Sequence, residues 1–214
     1  MFIKFLATCG LFSILFIQAA HAHPVSFAGS YSIMTWNSEE MSEWMFIHSF
    51  TAQNALMARY VRLDTKDGER TFYLPQANFL LKRWNELDSQ ANIYLSVGHG
   101  GEKNKDSFKS TSAIALDADW ESRKYYVSFK EDILLSHKDS GRSIYLTKVR
   151  AGFAPYLAEF NELNTWFILQ AETISKSEET FTLTPMIRLF YKNVLTEAGV
   201  SSKGNAQFNF MVHF

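Results

Sequence analysis

Ten charged residues of this 214-residue chain stand inside apolar or alternating stretches, and they are the first candidates for chemistry. They are Arg59, Lys82, Asp117, Asp119, Lys130, Lys148, Arg150, Glu172, Arg188 and Glu197. Charges in such settings do one of two things. Lining a wet passage, they select small polar solutes by sign and size. Kept from water, they must pair with one another and act as filler.

Histidines offer a second chemistry. An imidazole beside a hydroxyl can take its proton and make it a nucleophile. The places are His48-Ser49, His99 among Gly98, Gly100 and Gly101, and His137 near Ser136. In one strand His48 and Ser49 point to opposite faces, which argues against that pair. His99 reads as the start of a glycine-rich loop. A third chemistry is copper chelation by His23, should it become amino-terminal, although no spaced His or Met cluster supplies further ligands. Neither a metal site nor a cofactor is expected. Cys9 is the only thiol, so residues 23–214 have none for a disulfide, a metal site or a nucleophile. With net charge −1 and no basic run, a nucleic-acid partner is not expected.

The elements that position these residues are strands. Ala206, Phe208, Phe210, Val212 and Phe214 alternate with the polar Gln207, Asn209 and His213. That period of two is a strand's, because successive side chains leave opposite faces. At the other end, Lys4, the apolar run Phe5 to Ala20 and Ala20-His21-Ala22 are the three parts of a secretory signal peptide. The division expected is a signal at 1–22 and one domain at 23–214. No later apolar run reaches the length of a membrane helix.

With its terminal Phe, the segment 206–214 resembles the closing strand of bacterial outer-membrane β-barrels. In those proteins the last Phe is part of the signal read by the assembly machinery. The resemblance is to an architecture, not to a family of known activity. It implies a bacterial outer-membrane location and an all-β, closed, antiparallel up-and-down barrel. Its implied partners are outer-membrane lipid, periplasmic chaperones and the barrel-assembly machinery, with Phe214 as the assembly signal and the oligomeric state open.

Parsing the mature chain gives twelve strands, with ten to fourteen possible, and too few residues for a plug domain. Taking each strand's apolar parity as lipid-facing sends the ten charges to the lumen. Trp36, Trp44, Trp84, Trp120 and Trp166 fall near strand ends and are expected to form aromatic girdles. The polar connections Gly100 to Ser110 and Glu131 to Ser143 are expected to be long outer loops. Pro75, Pro155 and Pro185 fall within strands, where each missing N–H costs a ladder bond. The function expected is a narrow porin for small polar solutes or a surface-structural barrel. The alternatives are a lipid hydrolase with a lumen or rim His, resembling small outer-membrane hydrolases in class but not in motif, and a metal-linked barrel using His23.

Overall fold

A computed structural model describes residues 23–104, 107–136, 143–177 and 180–214. The expected signal segment 1–22 and His137 lie outside the described residues.

Twelve antiparallel strands close into one barrel. They are β1 (Ser30–Asn37), β2 (Met41–Ser49), β3 (Asn54–Thr65), β4 (Gly68–Asn85), β5 (Ser89–Asn104) and β6 (Ser107–Ser122). The second half is β7 (Tyr125–Ser136), β8 (Ile144–Phe153), β9 (Asn164–Ile174), β10 (Phe181–Tyr191), β11 (Val194–Val200) and β12 (Ala206–His213). Each strand pairs with its neighbour in sequence, and β1 pairs with β12 from Ser32↔His213 to Asn37↔Phe208. Closure leaves no unpaired edge, which lipid does not tolerate. Phe214 continues the seam beyond β12: its N–H donates to Tyr31 O at 2.8 Å and its carbonyl accepts from Tyr31 N at 3.2 Å.

Large apolar side chains band the outer wall. Tyr31, Trp44, Phe46, Leu56, Ile114, Leu116, Phe129, Val149, Phe167, Leu169, Ile187 and Phe208 are all exposed there. A continuous exposed band of this kind marks a transmembrane barrel, since no soluble surface leaves so much apolar area in water.

The connections differ from expectation. Gly100 to Ser110 is not a loop, because β5 runs on to Asn104 and β6 begins at Ser107. Likewise Glu131 to Ser136 belongs to β7. The polar residues there keep the strand period while leaving the apolar band. The longest connection, 154–163, lies at the end that holds the termini, hereafter the near end.

The prolines are accommodated one by one. Pro155 lies past the end of β8. The β10–β11 register starts at Met186, one residue past Pro185. Pro75 interrupts the β4–β5 ladder, which steps from Tyr73↔Gly101 to Gln76↔Gly98. Glycines answer it across the gap. A Cβ on Gly100 would sit 2.0 Å from Tyr73 O and 3.2 Å from the Pro75 ring. Gly100→Val is therefore expected to cost roughly 2 kcal/mol or more, as overpacking does, and urea unfolding in lipid vesicles measures it.

Candidate functional site

Inside the barrel, apolar and charged side chains alternate along its length. At the far end an apolar layer packs inside the barrel: Leu63, Phe72, Leu134 and Ile144 are fully buried, with Val61, Leu74 and Ile174 against them. At the near end Met34, Met45, Ile47, Met57 and Met211 form a second cluster. The amino-terminal strap 23–29 enters it. Val25 is fully buried, Asn78 Nδ2 donates to Pro24 O at 3.1 Å, and Ser26 N donates to Ser49 Oγ at 2.9 Å.

Between these layers lies a belt of paired charges. Arg59 donates through Nε to Glu43 Oε1 at 2.6 Å and through Nη2 to Asp132. Glu197 takes two cations, Arg150 Nη2 at 2.7 Å and Arg188 Nε at 2.7 Å, and accepts from Asn209 Nδ2 at 2.8 Å. Lys148 Nζ lies 3.1 Å from Glu172. Aromatic faces complete the belt: Lys148 and Arg150 stand 5.3 and 5.5 Å over Trp36, and Arg188 stands 4.5 Å over Tyr126. Toward the far end a separate pair, Arg70–Glu102 at 2.6 Å, is equally buried.

The belt surrounds a cavity of about 80 Å³. Basic Lys130, Lys148, Arg150 and Arg188 and acidic Asp117 and Asp119 line it, and His23 and Pro24 line it from the strap. His23 Nδ1 is 3.3 Å from Asp119, and its ring lies 5.2 Å from that of Tyr94. Asp117 and Lys130 are direct cross-strand partners in the β6–β7 register. The space suits a few waters or one small ion.

No family model matches the chain, and no curated protein matches it. Among solved structures, the KdgM porin in complex with disordered oligogalacturonate is 12% identical, covering 86% of this chain and 98% of that one, with a TM-score of 0.48. The β domain of the Bordetella autotransporter BrkA is 10% identical, covering 86% and 97% of the two chains, with a TM-score of 0.42.

Of the ten charges named from the sequence, nine point inward: Arg59, Asp117, Asp119, Lys130, Lys148, Arg150, Glu172, Arg188 and Glu197. Lys82 does not. The β4–β5 register shifts between Leu80 and Lys82, so the extra residue Leu81 reverses the parity beyond it. Lys82 stands outside, 5.8 Å over the Trp84 ring. Arg83 turns inward instead, donating to Asn92 Oδ1 at 2.6 Å and Tyr94 Oη at 3.1 Å.

The tryptophans divide as well. Trp44, Trp84 and Trp120 are exposed on the wall, as a girdle requires. Trp36 and Trp166 are not girdle residues. Trp36 shares the parity of Ser32 and Met34 and packs beneath the lumen cations, and Trp166 is buried with Tyr126, Ile168 and Met186. Both rings fill space inside the barrel instead.

Glu43, Arg70, Glu102 and Asp132 escaped the sequence reading. Glu43 sits between Met41 and Met45, so the face that carries it looks apolar. Arg70, Glu102 and Asp132 lie in or beside stretches taken as strand ends and loops. Of the histidines, His48 is on the outer wall, stacked 4.4 Å from Tyr31, while Ser49 is buried. His99 is in strand β5, exposed, and hydrogen-bonded to two serines of β6.

Proposed function

We propose that this protein is an integral β-barrel of the bacterial outer membrane, acting as a narrow channel for small polar solutes and closed in this conformation. The supporting observation is the cavity, lined by charges of both signs between an apolar layer and the strap. A lining of mixed charge orients and selects small solutes, and an apolar constriction closes a path by excluding water. In this reading the near end, with both termini, faces the periplasm, and the signal peptide has been cleaved before His23. Phe214, exposed at the end of the seam, is then presented to the assembly machinery while the chain still awaits closure.

Reconstituted in a planar bilayer, the mature chain is expected to show brief, small conductance steps. Removing residues 23–28 is expected to enlarge the steps by about twofold or more, because the strap floors the cavity. A bilayer that stays silent, with barrel that still resists SDS until boiled, sinks the channel. It would leave the surface-structural reading, which the packed far-end layer favours.

A further inference from the structure

The outer wall of the barrel carries a polar cluster on β5 and β6 where lipid is expected. On β5 the outward residues run Ala91, Ile93, Leu95, Val97, and then His99. On β6 they run from Trp120 through Ala118, Leu116 and Ile114 to Ser112 and Ser110. His99 Nδ1 lies 3.0 Å from Ser112 Oγ, and His99 Nε2 lies 3.2 Å from Ser110 Oγ. An ionisable side chain on a lipid-facing wall is costly, which makes it a candidate for function.

Depth supports the reading. Trp84, Ala91 and Trp120 share one rung, with both tryptophans exposed on the wall. From Trp120 to Ser112 is about 27 Å along the strand, or about 21 Å across the membrane at a tilt near 40°. An apolar band is about 25 Å tall. The cluster therefore lies at the far boundary of the band, where the acyl esters of that leaflet lie. Val97 and Ile114 are exposed on the hydrocarbon side of it, and exposed Leu135 stands beside Ser112 on the next strand. Tyr73 and Phe108, with rings 6.4 Å apart, are exposed on the headgroup side.

The geometry points to an acyl-ester hydrolase site on the outer wall, with Ser110 as nucleophile, His99 as base and Ser112 as the positioning residue. It lies across the wall from the cavity and does not depend on the channel reading. In the tautomer with the proton on Nδ1, His99 donates to Ser112 Oγ, which fixes the ring. The Nε2 lone pair, at the exposed end, then accepts the Ser110 hydroxyl proton. Oγ of Ser110 bonds to the ester carbonyl carbon, and its proton passes to Nε2. The carbon–alkoxide bond breaks, the alkoxide takes the proton from Nε2, and the lyso-lipid leaves. Water, deprotonated by Nε2, cleaves the acyl-serine to free fatty acid and restores Ser110. The sum is ester plus water giving acid plus alcohol.

The shared substrate chemistry is a lipid acyl ester. Its two sources, glycerophospholipid and the lipid A of lipopolysaccharide, are separated by two arms of one experiment. The refolded barrel is placed in phosphatidylethanolamine vesicles and, separately, in lipopolysaccharide micelles, and released fatty acid is measured. Release in either arm is expected, falling roughly 100-fold in Ser110→Ala and His99→Asn with the SDS heat shift unchanged. A fluorophosphonate probe is expected to label Ser110, and to fail in His99→Asn. Ser112→Ala is expected to lower kcat with KM unchanged, and Ser112→Thr to restore it. No acid in both arms, activity retained in Ser110→Ala or His99→Asn, or a label on any other residue overturns the proposal.

Discussion

Glu197→Leu, made alone, is expected to destabilise the barrel by about 3–5 kcal/mol, the cost of stranding buried charge. Glu197 is fully buried and sits between two guanidinium groups, each at 2.7 Å. Both arginines are themselves buried, so removing the carboxylate leaves two cations with no other ion pair among the described residues. Asn209 loses its acceptor as well. The ring of Tyr126 remains beneath Arg188, but a cation–π contact of about 2 kcal/mol does not replace an ion pair. Urea unfolding in lipid vesicles, followed by tryptophan fluorescence, measures the loss. The triple variant Glu197→Leu, Arg150→Met, Arg188→Leu is expected to recover most of it, since a packed apolar replacement removes the desolvation cost of all three charges. If the single variant unfolds like the parent, the belt is not what holds the middle of the barrel.

The second large effect concerns the far-end layer. Phe72→Ser is expected to raise single-channel conductance by about threefold or more, because a hydroxyl in a dry constriction admits water. Phe72 is fully buried among Leu63, Leu74 and Leu134. Its loss is also expected to cost about 3–5 kcal/mol in stability, as for other buried aromatic truncations. Planar-bilayer recording reads the first effect and urea unfolding the second. A variant that folds, by SDS heat shift, yet conducts no better than the parent would show that this layer is not the gate. Phe208→Ser makes a matched control: it is 51% exposed on the wall, so it should leave conductance unchanged.

These expectations separate what the chain spells out from what it hides. The strand period is written in the residues: the alternation at 206–214 sends Gln207, Asn209 and His213 inward and Phe208 outward. Strand number followed from the same period. Facing was harder. Taking the apolar parity as lipid-facing works where one face is polar, as in β12. It weakens in β2, where Met41, Met45 and Ile47 face in while Trp44 and Phe46 face out. Lipid and a packed lumen both accept apolar side chains, so hydrophobicity no longer labels the side.

One inserted residue had the same power. Leu81 turned Lys82 outward and Arg83 inward, and nothing in the local composition marks that bulge. His99 shows the limit most plainly. Its glycines suggested a loop, yet they are the residues that let β5 pass Pro75. Once β5 is straight, Ser110 and Ser112, eleven and thirteen residues later, meet the ring.

The sequence by itself determined the period, a strand count near twelve, a closed barrel without thiols, and nine of the charges that face inward. Those follow from local physics: backbone geometry gives the alternation, and the need to pair every peptide group forces closure. Only the tertiary structure decided which cation meets which carboxylate, that the lumen is layered, and that His99 faces two serines. Each of these depends on cross-strand register, and register is a property of two segments together. No single stretch of chain carries it.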